Sequence, residues 1–115
     1  MFALNFYSEV YGEMLRNGHK TATIRLGDKS RKYQSGQLVW ITLGRRHGVR
    51  LKLFTAVLDS VVVKRAGELS PRELERESPE LRSLEDLLVQ LERLYGRPVT
   101  ELDTVTMIQF SRVQE

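Results

Sequence analysis

The sequence predicts an α+β fold: a small, curled, mostly antiparallel β-barrel with flanking helices. Three observations lead there. Strand-like segments fill the first half of the chain, a helical insertion follows, and one further strand closes the sequence. A long strand beginning at Val49 changes hydrophobic phase partway along. A short strand with a polar face starts directly after a helix stop, at Thr21. With 115 residues, 41% hydrophobic and 29% charged, residues 1–115 read as a single domain with one modest core.

The elements follow in order. Residues 2–6, Phe-Ala-Leu-Asn-Phe, form a short first strand. Ser8 is the expected N-cap of a helix, with Glu9 in its first turn. Val10, Met14 and Leu15, with Tyr7 or Tyr11, make its apolar stripe, and Asn17-Gly18 stops it. Residues 21–26 are a strand in which Thr21, Thr23 and Arg25 share one face while Ala22 and Ile24 point to a core. Gly27 to Gly36 is a polar, basic excursion, long for a hairpin loop. Residues 37–43 form a strand, Gly44 to Gly48 a turn, and Val49 begins the long strand. There Val49, Leu51 and Leu53 are apolar at odd positions, then Phe54, Ala56 and Leu58 at even ones. Such a slip requires a bulge or bend near residue 53 or 54, the device that curls small sheets into barrels.

Ser70-Pro71-Arg72-Glu73 is an N-cap, a proline at the first helical position and a capping-box glutamate. Ser78-Pro79 ends that helix, because the residue before proline avoids helical geometry. Ser83 starts a second, longer helix that stops at Gly96-Arg97-Pro98. Leu84, Leu87, Leu88, Leu91, Leu94 and Tyr95 form its stripe. The stripe is too short for a coiled coil and reads as core packing, ahead of a protein-interaction surface. Residues 105–110 are the closing strand.

Composition excludes several classes of function. The chain has no cysteine, so disulfides, thiolate catalysis and cysteine-ligated zinc are out. His19 and His47 sit in separate turns with no nearby carboxylate cluster, so neither a metal site nor any other cofactor is expected. With no basic leader and no long apolar run, a cytoplasmic protein without a membrane span is the expectation. The net charge of +3 hides a segregation. Residues 16–52 carry ten Lys and Arg against Asp28, a net of +9, while residues 66–103 carry five Arg against ten acids, a net of −5. That asymmetry points to an anionic partner for the basic half. The competing reading is that charged turns solvate hairpins and an acidic helix solvates itself.

The densest signal is Asn17-Gly18-His19-Lys20-Thr21-Ala22-Thr23-Ile24-Arg25. It is not a phosphate-binding P-loop: the Gly-Lys adjacency and the upstream glycine are absent, and a helix precedes it. A lysine whose pKa is depressed by burial or a neighbouring cation can take a proton from a hydroxyl, which makes Lys20 and Thr23 a possible base and nucleophile. Their odd spacing puts them on opposite faces of an ideal strand, so Lys20 must lie in the turn and curve back.

The run Gly18-x-Lys20-Thr21-x-Thr23-x-Arg25, after a short helix and before a barrel strand, resembles the signature of the ASCH family. ASCH domains are similar to PUA domains, small β-barrels with flanking helices and a cleft under the signature turn. The resemblance implies a link to RNA. It also implies, for some small bacterial members, an amidohydrolase that removes the acetyl group of N4-acetylcytidine with a Lys, a Thr and a Glu. Lys20 and Thr23 match the first two by position. The segment Leu69-Ser70 to Glu77-Ser78 aligns so that Glu77 takes the third place, with Glu73 and Glu75 close enough to compete. In those roles Lys20 is the base, Thr23 the nucleophile, and Glu77 a proton carrier or activator of the hydrolytic water. Arg25 can bind a base carbonyl or a phosphate.

The chain departs from the compact amidohydrolases in its basic loop, residues 28–35, where Lys29, Arg31 and Lys32 suit a polyanion. Tyr33 can stack a base; Trp40 can too, but barrel core is the preferred reading for it. The expectation is therefore recognition of RNA or a nucleotide-like ligand by Lys20, Thr21, Thr23 and Arg25, with the basic loop gripping phosphate. The alternative is deacylation of an acylated pyrimidine nucleoside. The oligomeric state is not written in the sequence.

Overall fold

The structure, a computed structural model, describes residues 1–7, 9–45 and 48–114. Ser8, the expected N-cap, and the turn residues Arg46 and His47 lie outside the described residues, as does the side chain of Val10. The elements are β1 (Ala3–Phe6), α1 (Glu9–Arg16), β2 (Ala22–Leu26), β3 (Leu38–Gly44), β4 (Arg50–Arg65), α2 (Pro71–Glu77), α3 (Leu84–Tyr95) and β5 (Thr104–Arg112), with a short 3₁₀ turn over Ala66–Glu68.

The strands form one curled half-barrel sheet in the order β1-β3-β4-β5-β2. The β1–β3 pair is parallel and the other three pairs are antiparallel. β4 is bulged twice. Ile41 pairs with Phe54 and Thr42 with Lys52, which leaves Leu53 as the extra residue, where the phase slip requires it. Against β5, Leu58 pairs with Phe110 and Ser60 with Gln109, so Asp59 is a second extra residue. The second bulge has no hydrophobic signature because Val61, Val62 and Val63 are apolar at both parities. The two bulges let one 16-residue strand serve both halves of the curl.

Two cores lie on opposite faces of this sheet. Leu4, Phe6, Val39, Ile41, Leu43, Phe54, Ala56, Leu58, Ile108 and Phe110 fill the concave side, with Leu15 of α1 packed on them. Ala22, Ile24, Leu26, Val105 and Met107 face the other way, onto Leu74 of α2 and Leu87 and Leu91 of α3. The β2–β5 arm is thus covered on both faces, so the polar face of β2 is turned toward the barrel interior.

The helix ends match their sequence signals. The Ser70 hydroxyl accepts from the Glu73 N–H at 3.2 Å, the Glu73 carboxylate accepts from the Ser70 N–H at 2.9 Å, and Ser78 caps the C-terminus. The Ser83 hydroxyl caps α3, which ends at Gly96 with φ of 68°, a left-handed conformation that glycine adopts without cost. The stripe of α3 is shorter than its leucines suggest. Leu94 is 53% exposed and Tyr95 40% exposed, because α3 rests on the sheet through Leu87 and Leu91.

The separation of the cores makes a test. Ile41→Val removes one methylene from the concave core and should cost about 0.5–1.5 kcal/mol, whereas Leu87→Ala should cost about 2–5 kcal/mol. The two sites share no core cluster, so the double variant should be additive within about 0.5 kcal/mol in urea denaturation.

Candidate functional site

The site begins where α1 stops. Gly18, with φ of 81°, reverses the chain, and the Lys20 N–H donates to the Met14 carbonyl at 3.0 Å. Lys20 therefore sits in the turn before β2, which resolves the odd spacing to Thr23. Its side chain runs inward and is 1% exposed. The ammonium donates to Glu77 Oε1 at 2.7 Å and also to the Glu77 backbone carbonyl. It lies 5.0 Å from the Tyr11 ring centroid and 5.4 Å from that of Phe6. Those π faces supply the attraction that water would otherwise give a buried cation.

Glu77 closes the other half of the arrangement. At 4% exposure, it sits at the C-terminal end of α2. Its Oε2 accepts from the Ile24 N–H at 2.5 Å. β2 is an edge strand, and this bond satisfies an outward N–H that a neighbouring strand would otherwise take. The next outward N–H, of Leu26, donates to the Tyr95 hydroxyl at 3.2 Å. The competing glutamates are elsewhere. Glu73 binds Lys64 at 3.0 Å and belongs to the capping box, and Glu75 is exposed.

Thr23 and Arg25 line the interior face of β2 as the alternation requires. Thr23 is 3% exposed, and its hydroxyl oxygen accepts from Arg25 Nε at 2.9 Å. Arg25 Nη2 donates to the Asn5 carbonyl at 3.1 Å, so this side chain bridges the open seam between β1 and β2. Its guanidinium carbon is 5.1 Å from the Phe6 centroid. Lys20 and Arg25 thus approach the same ring. Among the described residues no hydrogen bond joins Thr23 to Lys20 or Glu77; Lys20 pairs with Glu77, and Thr23 is tied to Arg25, which shares the Phe6 ring with Lys20.

Burial lowers the Lys20 pKa, the nearby Glu77 charge and hydrogen bond pull it back up, and Arg25 lowers it further. The net direction is down. The Tyr11 pKa is raised, first by burial and then by the charges of Glu77 and Glu80. Tyr11 therefore stays a neutral phenol beside the lysine.

A cleft of about 260 Å³ lies beside the turn, lined by Leu15, Arg16, Lys20, Thr21 and Phe110 among others; of the centre it touches Lys20, while Thr23, Arg25 and Glu77 do not line it. Pockets for drug-sized ligands run from ~300 Å³ upward, so this cleft suits something the size of a nucleobase. Among the described residues no cluster of three or more His, Asp or Glu could hold an ion.

Two aromatic expectations exchange places. Tyr33 is 4% exposed, packs in the concave core, and its hydroxyl donates to the Ala3 carbonyl at 2.8 Å, so it is not a stacking platform. Trp40 is 44% exposed on the convex face with the Lys52 ammonium 5.4 Å from its ring, so it is not barrel core. The reason is parity: Val39 and Ile41 take the inward positions of β3. In the basic loop, Arg31 is exposed, Lys29 is half-buried, and Lys32 lies over the Phe2 and Tyr33 rings at 5.6 and 5.3 Å. Phe6, Tyr11 and Asn5 complete the centre without any sequence signal. They are ordinary core and strand residues until the curl brings them to Lys20 and Arg25.

The pairing predicts a specific instability. Glu77→Gln leaves the Lys20 charge buried without its counter-charge and should cost about 3–5 kcal/mol near neutral pH. The folded pKa of Lys20 lies below its unfolded value, so the unfolded chain binds more protons between the two. The lysine's contribution to stability therefore rises with pH across that window. The deficit of Glu77→Gln should shrink in the same direction, because a neutral amine needs no counter-ion. Denaturant midpoints across the alkaline range measure it.

No family model matches the sequence, and no curated protein does. Solved structures do. The ASCH domain from Lactobacillus crispatus JV V101 superimposes with a TM-score of 0.68 at 16% identity, over 96% of this chain and 77% of that one. Protein EF3133 from Enterococcus faecalis V583, of family DUF984, gives 0.73 at 16% identity, over 98% and 76%. Hypothetical protein PH0355 gives 0.69 at 17% identity, over 97% and 98%. At such identities the likeness is one of fold. The curled mixed sheet, the helix before the signature turn and the helical insertion that covers β2 together are the fold of an ASCH domain.

Proposed function

We propose that the chain is an amidohydrolase that binds a nucleoside-like ligand in the cleft against Lys20 and cleaves an N-acyl group from its base. The observation that carries this reading is Lys20: buried, lowered in pKa, salt-bonded to Glu77, and sharing the Phe6 ring with Arg25, which donates to Thr23. Strongly perturbed groups at a cleft are where acid–base chemistry concentrates.

The chemistry follows from the hydrogen bonds. Thr23 Oγ1 accepts from Arg25, which leaves its own hydrogen available to a base and places a positive charge beside a developing alkoxide. The neutral form of Lys20 takes that proton as Thr23 Oγ1 attacks the acyl carbonyl carbon. Collapse breaks the carbon–nitrogen bond, and the proton passes from Lys20 to the leaving exocyclic amine. Water then attacks the acyl-threonine ester, giving a proton to Lys20 that Glu77 stabilises; the acyl carbon–Oγ1 bond breaks and Lys20 returns the proton to Thr23 Oγ1. The carboxylic acid leaves and Thr23 is restored. Before ligand binds, Lys20 points to Glu77 rather than Thr23, and catalytic hydrogen bonds commonly tighten only in the complex.

A second reading, recognition without chemistry, is favoured by the lining of the cleft: Lys20 and Thr21 border it while Thr23 and Glu77 do not, so the buried Lys20–Glu77 pair can shape the wall without taking part in a reaction.

The test is release of cytidine and acetate from N4-acetylcytidine. Wild type should turn over, and Thr23→Ala and Lys20→Ala should each lose several orders of magnitude, since members of such a unit fail together. Thr23→Ser should retain activity. The rate should rise with pH through the lowered pKa of Lys20, as the amine loses its proton. Ligand binding without turnover in the wild type leaves the recognition reading, and full activity in Thr23→Ala removes the mechanism.

A further inference from the structure

We propose that Tyr11 is a positioning residue for Lys20: its ring holds the protonated amine and so sets how strongly Lys20 takes a proton. This rests on the reading of Lys20 as a base given above and names the side chain that tunes it.

The ring is placed by the helix. Tyr11 and Leu15 are one turn apart on α1, and Leu15, buried in the concave core, fixes that face of the helix over the sheet. The bond from the Lys20 N–H to the Met14 carbonyl then returns the chain to the same end of α1. The ammonium comes to 5.0 Å from the Tyr11 centroid. The Tyr11 and Phe6 rings pack edge to face, with centroids 6.2 Å apart and planes at 69°, so a core residue sets the orientation of the half-buried tyrosine. Phe6 also meets the ammonium, but it serves two cations, Lys20 at 5.4 Å and Arg25 at 5.1 Å. Among the described residues the Tyr11 ring meets Lys20 and no second cation.

The charged groups around this pair come from three places. Glu77 at the end of α2 and Arg25 of β2 act on Lys20, and Glu77 with Glu80, in the segment after α2, act on Tyr11. Burial and then the two glutamates keep Tyr11 a neutral phenol. It therefore offers Lys20 a π face and not a second anion. Tyr11 does not line the cleft beside the turn, so it acts through Lys20 rather than on a ligand there.

A ring face attracts the ammonium and not the neutral amine. When Lys20 takes the Thr23 proton, the new charge forms against Tyr11, and the contact is stronger then than before. An interaction that grows toward the transition state speeds the chemical step, whereas one equal in both states does not. Tyr11 thus makes Lys20 a stronger base than burial beside Arg25 alone would leave it.

NMR titration of protein carrying lysine labelled with carbon-13 at the ε position reads this without turnover. The Lys20 signal is the one with a nuclear Overhauser effect to the Phe6 ring. Tyr11→Leu should lower the Lys20 pKa by about one unit. Tyr11→Phe keeps the face and should move it by no more than about 0.3 unit. Circular dichroism establishes that each variant is folded, and Tyr11→Met supplies a second ringless side chain should Tyr11→Leu not fold. In hydrolysis of N4-acetylcytidine, the rising limb of the Tyr11→Leu rate profile should move to lower pH by the same unit. Its plateau kcat should fall by between about two- and tenfold, as for a weaker base, with KM unchanged.

A Lys20 pKa that is unchanged without the ring overturns the proposal. A raised one overturns it too, since the ring would then act by keeping water out. So does Tyr11→Phe matching Tyr11→Leu, which assigns the effect to the hydroxyl. A lowered pKa in the ringless variant with no turnover by the wild type supports the tuning and removes the amidohydrolase. Turnover by the wild type with an unshifted pKa in the ringless variant removes the tuning and leaves the amidohydrolase standing.

Discussion

The Glu77 carboxylate is the tie on which the arrangement depends. One oxygen holds the Lys20 ammonium and the other holds the Ile24 N–H of the sheet edge. A single side chain at the end of α2 therefore fixes three things: the turn after α1, the register of helix against strand, and the closure of an edge that would otherwise invite another strand. A neutral replacement can keep the edge bond, but it abandons a charge with almost no water around it. Taking both ions out of water costs several kcal/mol each, and only good geometry recovers it. The chain supplies that geometry twice over, with two contacts from Glu77 and two aromatic faces against the same lysine.

The polar interior of the half-barrel follows from the covering of β2 on both faces. Because α2 and α3 take Ala22, Ile24 and Leu26, the alternate residues have nowhere to go but inward. Thr23 and Arg25 then face the concave core, where an unpaired guanidinium would be expensive. Its two hydrogen bonds solve this with groups at hand, the Thr23 hydroxyl and the Asn5 carbonyl. The second bond spans the seam where β1 and β2 fail to pair. The Asn5 side chain is anchored in turn, donating to the Gly44 carbonyl at 2.8 Å and accepting from the Thr42 hydroxyl at 2.8 Å. Arg25 is thus both a structural clasp and the nearest cation to the threonine oxygen, and replacing it would disturb the barrel as well as the site.

Local signals were legible and crossing relations were not. The Ser70–Glu73 capping box, the glycine stops at Gly18 and Gly96, and the bulge at Leu53 each follow from a few adjacent residues, and each is where the sequence places it. The partner of Lys20 was legible only as a choice among Glu73, Glu75 and Glu77. Helix pitch decides it: Glu73 turns to Lys64 and Glu75 to solvent, and only Glu77 reaches the sheet edge. Tyr33 and Trp40 were misplaced because aromatic character says nothing about which side of a curl a residue meets. The loop folds Tyr33 back onto β1, and the parity of β3 turns Trp40 out.

The same distinction applies to charge. A run of cations in sequence is conspicuous, whereas a run of cations in space is assembled by the fold. Exposed charges act over about a Debye length, ~8 Å at physiological salt, so spatial neighbours matter and sequence neighbours need not. Arg72 and Arg76 are four apart on α2 and share one helical face beside the signature turn, while the acids of that segment are directed elsewhere, Glu73 to Lys64 and Glu77 to Lys20. The acidic insertion thereby spends two of its carboxylates on internal lysines. What it turns toward the cleft at His19 and Thr21 is two guanidinium groups and one glutamate. Net charge by segment has the wrong sign for that face, and the reason is the internal neutralisation that also builds the site.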